Sequence, residues 1–241
     1  MIRAVVFDLD GVLLDSERLW DAARRQVVAR HGGRWRADAT AAMQGMSPSE
    51  WSAYIRSELG VDLDEARIVD LVVGVLLERY RQALPVLPGA GEALECIGTR
   101  WPLGLASSSD RVVIDEVLAL SGWRSAFRAT VSSEEVPRGK PHPDVYLEAA
   151  RRLGVDPGSC VAVEDSTNGI KAAAAAGLGV VAVPNGSYPP EAEALALAGL
   201  VTDSLSDLTV EAIERLDVNH VDEEEIESFP ASDPHSDWAG P

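Results

Sequence analysis

The sequence predicts an α/β fold: a parallel sheet interleaved with helices and interrupted, after its first strand, by a helical cap. Three observations carry this expectation. Short apolar runs recur without polar alternation, as strands buried on both faces require. Helical patterns fall between those runs, at the spacing of strand–helix–strand units. One long stretch, residues 16–83, has helical periodicity and no strand pattern.

Taken in order, residues 4–7 (AVVF) form the first strand. In the stretch that follows, Leu19, Ala23, Val27 and Val28 share one apolar helix face. Trp51, Ile55 and Leu59 share a second, and Ile68, Leu71, Val72, Val75 and Leu76 a third. Pro85 and Pro88 mark the return to the sheet. A helix over 90–98 then precedes a strand at 103–106, and a helix over 112–120 precedes a weaker strand at 129–132. The helix over 143–153 stops at Gly154 and leads to a strand at 161–163. The helix over 167–176 stops at Gly177 and leads to a strand at 180–183, with a last weak strand at 200–201. The expected division is a catalytic core of residues 1–15 and 84–216, a cap of residues 16–83, and an acidic tail of residues 217–241.

A chain of 241 residues fills one large domain or two modest ones. At that size about 70–75% of the unfolded surface is buried, so no disulfide or metal staple is needed. No apolar run reaches the roughly 20 residues of a membrane span. The run in MIRAVVFDLD is too short for a secretory leader and ends in acids, which reads as cytoplasmic. Cys96 and Cys160 lie in no Cys/His cluster, so both are expected as core fillers. The net charge of −18 opposes nucleic acid as a partner, and nothing suggests a membrane partner. The tail has many acids and no Lys or Arg, and its Pro, Ser and Gly suit a disordered, solvated segment. The whole chain has two lysines, Lys140 and Lys171.

In an open parallel sheet, ligands bind beyond the carboxyl ends of the strands. Asp8 and Asp10 follow the first strand, Ser107, Ser108 and Ser109 the second, and Glu164 and Asp165 the run at 161–163. Lys140 lies in the loop RGKPHPD before a helix. Each has an ordinary explanation when taken singly: an acid opening a loop, a serine capping a helix, a solvated lysine. Together they are a phosphate site. Carboxylates crowded in one crevice repel unless a cation joins them, and an all-oxygen set suits a hard ion such as Mg²⁺. Hydroxyls and backbone N–H groups suit phosphate oxygens, and a lysine balances a dianion.

With those residues in view, the chain is similar to the haloacid dehalogenase-like hydrolase superfamily. It resembles the subgroup holding β-phosphoglucomutase and small sugar-phosphate phosphatases. The resemblance covers roughly residues 1–215 and rests on FDLDGVLLDSE (7–17), LASSS (105–109), GKPHPDVY (139–146) and VEDSTNGIKAAAAAG (163–177). It implies a Rossmann-like parallel-sheet core with an inserted α-helical cap, a small phosphorylated metabolite as substrate, and Mg²⁺ as cofactor. It implies Asp8 as nucleophile and Asp10 as acid/base. Ser107, Ser108, Lys140 and the backbone of Leu9 would bind phosphate. Asp8, the carbonyl of Asp10, Asp165 and Glu164 (directly or through water) would hold the metal. In the cap, Trp20, Gln44, Met46 and Ser47 would contact the leaving group, with Trp51 expected mainly as cap packing. The crevice and mobile cap need no second chain, so a monomer is expected.

Family chemistries differ, and the residues bear on the choice. Retention of Asp10 and Glu164-Asp165 argues against a metal-free dehalogenase. A phosphonoacetaldehyde hydrolase needs a cap lysine, and residues 16–83 contain none. A phosphomutase of the β-phosphoglucomutase type needs a second phosphate site in the cap. Where that pattern has a histidine and an arginine, this chain has Trp20 and Pro48. Arg18, Arg24 or Arg56 could substitute if one pointed inward. Hydrolysis is therefore the favoured reading, the mutase its rival, and a non-catalytic binding member a third.

Overall fold

In the computed structural model, which describes residues 1–43, 46–184, 186 and 189–216, six parallel strands form one sheet in the order β3-β2-β1-β4-β5-β6. They are β1 (Ala4–Phe7), β2 (Leu103–Ser107), β3 (Phe127–Ser132), β4 (Cys160–Glu164), β5 (Gly179–Ala182) and β6 (Leu200–Val201). All their pairings are parallel, so every carboxyl end faces the same edge. The chain adds β2 and β3 on one side of β1, then crosses back to add β4 on the other. That switch point opens a crevice beyond β1 and β4, where Phe7 pairs with Val163.

Before β2 come α1 (Glu17–Arg30), α2 (Ala39–Ala42), α3 (Pro48–Ser57), α4 (Glu65–Gln82) and α5 (Ala90–Gly98). After it come α6 (Arg111–Ser121), α7 (Asp144–Leu153), α8 (Thr167–Ala175) and α9 (Ala192–Leu195), and residues 210–216 are also helical. The strandless stretch 16–83 thus folds as helices α1–α4. Asp64 caps α4 by accepting from the Arg67 N–H, and Ser47 and Glu50 form a reciprocal capping box on α3. The short α2, α9 and the helix over 210–216 had no counterpart in the sequence pattern. A helix of four residues is too short to show a period.

The two sheet faces carry different residues. One bears Val5, Phe7, Leu103, Leu105, Val161, Val163 and Val181. This cluster continues through Leu9, Val12, Leu13 and Leu14 into Trp20, Trp51, Ile55, Ile68, Val72 and Leu76, so one apolar core joins the sheet to helices α1, α3 and α4. The other face mixes Val6, Val131 and Val180 with Ala4, Ala106, Ala129, Ala162 and Ala182, and the alanines let α7 and α8 lie close. Cys160 is buried there as expected, but Cys96 is exposed, because it falls on the outer side of α5. No helix among the described residues is long and apolar enough to cross a membrane. Gln44 and the tail, residues 217–241, lie outside the described residues.

Candidate active site

The strand ends bring Asp8, Lys140, Glu164 and Asp165 into one buried cluster. Asp8 leaves β1 with its N–H donating to the Val163 carbonyl at 3.0 Å, which fixes it beside the end of β4. Gly11 turns the following loop with φ +86°. A Cβ there would lie 1.9 Å from a carboxylate oxygen of Asp165, so only glycine lets that carboxylate close over the loop.

Lys140 is the hub. Its Nζ donates to Asp8 Oδ1 at 2.6 Å, to Glu164 Oε1 at 2.6 Å and to the Ala106 carbonyl at 3.1 Å, using all three N–H bonds. Burial alone would lower its pKa. The Asp8 and Glu164 carboxylates outweigh burial and hold the ammonium charged, above its ordinary range.

Glu164 is fully enclosed. Its Oε1 also accepts from the Tyr146 hydroxyl at 2.6 Å. Its Oε2 accepts from the Asp165 and Ser166 N–H groups and from Ser166 Oγ. A Cβ on Gly169 would stand 1.9 Å from this carboxylate, so α8 can start here only because residue 169 lacks a side chain. Glu164 thus orients Lys140 and the head of α8, and it meets a metal only by surrendering a hydrogen bond or through water.

Asp165 differs. It is 5% exposed, and no described residue donates to its carboxylate. Burial and the neighbouring Glu164 and Asp8 charges raise it well above the carboxylate range. Asp8 is pushed up to about 8 by burial, against the pull of Lys140 and with help from Glu164 and Asp10. Oxygen atoms of Asp8, Glu164 and Asp165 lie within 4.8 Å of one another. Three buried carboxylates share one ammonium that has no donor left, and an all-oxygen set of this size fits a hard divalent cation.

Asp10 is gripped from both sides. Its Oδ1 accepts from Ser16 Oγ and from Trp20 Nε1 at 3.1 Å, and its Oδ2 from Ser109 Oγ at 2.6 Å. Ser16 precedes α1 but makes no side-chain cap bond, since its hydroxyl is spent on Asp10. The serine loop is pinned beneath. Ser132 Oγ and Ser133 Oγ donate to the carbonyls of Ser109 and Ser108, and Ser107 Oγ accepts from the Ser109 N–H.

A cavity of about 60 Å³ lies over the cluster, lined by Asp8, Asp10, Lys140 and Asp165 from the sheet side. Of the serines, Ser108 and Ser109 reach it, while Ser107 is buried beneath them. The Leu9 side chain is buried in the core. From the helical side come Glu17, Trp20, Arg24, Met46, Pro48 and Trp51. Ser47 does not line the cavity; its hydroxyl donates to Glu50 in the capping box. Trp51 packs against Trp20 with ring centroids 6.2 Å apart. Ser109 was grouped with the strand-end hydroxyls for phosphate, not as a partner of Asp10, and Tyr146 and Ser166 stand in the motifs but drew no role from sequence, because only the fold shows where a hydroxyl points.

Comparison with known proteins agrees with this arrangement. A family model described as haloacid dehalogenase-like hydrolase matches residues 2–177. Hexitol phosphatase B of Escherichia coli (strain K12) is 36% identical over 222 residues, covering 86% of this chain and 95% of that one. Fructose-1-phosphate phosphatase of the same organism is 33% identical over 184 residues, covering 74% and 95%. Among solved structures, β-phosphoglucomutase from Clostridium difficile superimposes with a TM-score of 0.79 at 26% identity, covering 92% and 99%. With its strand-end carboxylates and lysine in one cluster, and with matches of this extent, the chain belongs to the haloacid dehalogenase-like hydrolase family.

Proposed function

We propose that this protein is a Mg²⁺-dependent phosphatase acting on a small phosphorylated sugar or polyol through an aspartyl-phosphate intermediate. The observation that carries the reading is the buried set Asp8, Glu164 and Asp165 around a lysine with no donor to spare. Two relatives named as phosphatases of a hexitol phosphate and of fructose 1-phosphate point to the same substrate class.

Lys140 occupies Asp8 Oδ1, which leaves Oδ2 to attack phosphorus. As that bond forms, the bond from phosphorus to the substrate oxygen breaks, and Asp10 gives its proton to the leaving oxygen. Asp10 then takes a proton from the water that cleaves the aspartyl phosphate and regenerates Asp8. Ser108, supported by Ser107, and the backbone N–H groups of Leu9 and Asp10 receive the phosphoryl oxygens. Asp8, the carbonyl of Asp10, Asp165 and, through water, Glu164 would hold Mg²⁺, which supplies charge neutralisation for the dianion.

Helices α1–α4 act in this reading as a cap that selects the leaving group through Trp20, Met46, Gln44 and neighbours. A cavity of about 60 Å³ admits a few waters but no sugar phosphate, so cap and core must part for substrate to enter. Every group named comes from one chain, in keeping with a monomer.

A screen of phosphate release across sugar, polyol and nucleotide monophosphates tests this. Activity should depend on Mg²⁺, vanish with chelator, and be abolished in Asp8→Asn. Full activity in that variant would remove Asp8 as nucleophile. The phosphomutase reading gains one observation: Arg24, a cap cation, faces the cavity. With β-glucose 1-phosphate and a trace of glucose 1,6-bisphosphate, we expect released phosphate and little glucose 6-phosphate. Rapid accumulation of glucose 6-phosphate would favour the mutase.

A further inference from the structure

Arg24 on α1 is 7% exposed and lines the cavity together with Asp8, Asp10 and Lys140. Its guanidinium lies over two aromatic rings, with Cζ 5.2 Å from the Trp20 centroid and 5.4 Å from that of Trp51. The two rings are tilted by 57°, so the cation sits in the notch between them. No described residue accepts a hydrogen bond from it or approaches to ion-pair distance, and its Nε is buried with no partner. Glu17, Asp21 and Asp10 act on it only through space.

Five other cap arginines behave differently. Arg25 pairs with Asp21 and donates to Thr40, Arg36 pairs with Asp38 and Glu58, and Arg79 donates to Gln26. Arg56 pairs with Glu65 on the surface, and Arg18 is exposed. Lys140, the other cation of the cavity, spends every donor within the protein. Arg24 is therefore the one cation lining this cavity, among the described residues, whose donors are uncommitted.

A buried guanidinium without a partner is costly, and stacking over indoles returns only part of that cost. Stacking also fixes the plane of the group and leaves its edge for recognition. That edge carries parallel N–H donors, which match a carboxylate or phosphate in bidentate fashion. A hydroxyl could accept one bond but would not match the paired donors. Between Arg24 and Asp10 stands one tryptophan, whose Nε1 holds Asp10 and whose ring carries the guanidinium. The two ends of the cavity are thus a short carbon chain apart.

We propose that Arg24 binds a second anionic group of the substrate, a carboxylate or a further phosphate, while the reacting phosphate lies on Asp8. This rests on the phosphatase reading and narrows its substrate class to phosphorylated sugar acids or bisphosphates. Wild-type hydrolysis of simple monophosphates tests that reading by itself.

The test is a calorimetric titration of the full chain carrying Asp10→Asn, in magnesium buffer, which keeps ligands intact. One arm compares gluconate 6-phosphate with glucitol 6-phosphate, which differ by a carboxylate. The other compares fructose 1,6-bisphosphate with fructose 1-phosphate. In at least one arm the doubly anionic member should bind at least about 30-fold tighter, the factor for a buried charge-assisted pair. The arm that responds identifies the anion. Adding Arg24→Gln should collapse that ratio to within about threefold while affinity for the neutral-ended member stays unchanged, and Arg24→Lys should restore part of it. Equal binding within both pairs, or an equal loss for both members in Arg24→Gln, would mean that Arg24 only packs the cap and would overturn the proposal alone. If no member binds and no monophosphate is hydrolysed, the phosphatase reading falls and takes the proposal with it.

Discussion

Asp10 receives hydrogen bonds from Ser16 and Trp20 on the helical side and from Ser109 on the sheet side. In the proposed reaction this carboxylate gives and takes a proton in two successive steps, which requires a held orientation, and these donors hold it. Trp20 lines the cavity, with its indole N–H committed to Asp10 and its ring packed against Arg24 and Trp51. Trp20→Phe keeps the ring and removes one donor to a charged acceptor. We expect kcat to fall about tenfold with KM within about twofold, in steady-state phosphate release. A rise in KM with unchanged kcat would show that Trp20 serves binding instead.

At the scale of an element, the start of α6 shows how burial sets charge. Asp110 stands at the N-cap position but makes no side-chain cap bond, and the Arg111 N–H goes to Glu134 instead. Asp110 is 4% exposed, and its Oδ2 has no partner. Burial first, then Glu134, pushes its carboxyl up to about 7. A carboxyl whose folded pKa is raised binds more protons folded than unfolded between its ordinary value and pH 7. Its contribution to stability therefore falls as pH rises through that window. Asp110→Asn carries no such charge and remains a good N-cap. Its thermal midpoint should gain on the parent's as pH is raised from about 5 to 8, followed by circular dichroism. A difference independent of pH would mean that Asp110 is ionised without cost.

For the whole molecule, the apolar core runs unbroken from the sheet into α1, α3 and α4, and the cavity between them is small. Turnover in the proposed reaction needs helices and sheet to part for a sugar phosphate to enter. Ser47, at the head of α3, and Gly139, in the lysine loop, offer a way to test that. A Cβ on Gly139 would lie 3.3 Å from that of Ser47, slightly closer than the separation of about 3.5–4.5 Å that a disulfide spans, so a small shift would seat the bond. The double variant Ser47→Cys, Gly139→Cys should lose turnover of sugar phosphates when oxidised and regain it on reduction. Equal activity in both states would show that substrate enters without the cap moving. The reduced form controls for the lost capping box, and exposed Cys96 is the thiol to monitor for side reactions.

Much was legible in the sequence because its signals are local. Strands buried on both faces must read as unbroken apolar runs, so β1, β2, β4 and β5 were found within a residue or two of their ends. Parallel order then obliges the residues after each strand to share one edge, which is why Asp8, Lys140, Glu164 and Asp165 could be grouped before any coordinates. Side-chain direction is not local. Only the placing of α1 beside the strand ends turns Trp20 toward Asp10 and sets Arg24 in the cavity, and only the placing of α7 brings the Tyr146 hydroxyl to Glu164. The sequence by itself determined the sheet, the helical insertion and which charged and hydroxyl groups follow the strands, because residue type and period carry them. The tertiary structure alone decided which hydroxyls and cations are spent inside the protein and which remain for a ligand, because hydrogen bonds between distant segments exist only once the chain has closed.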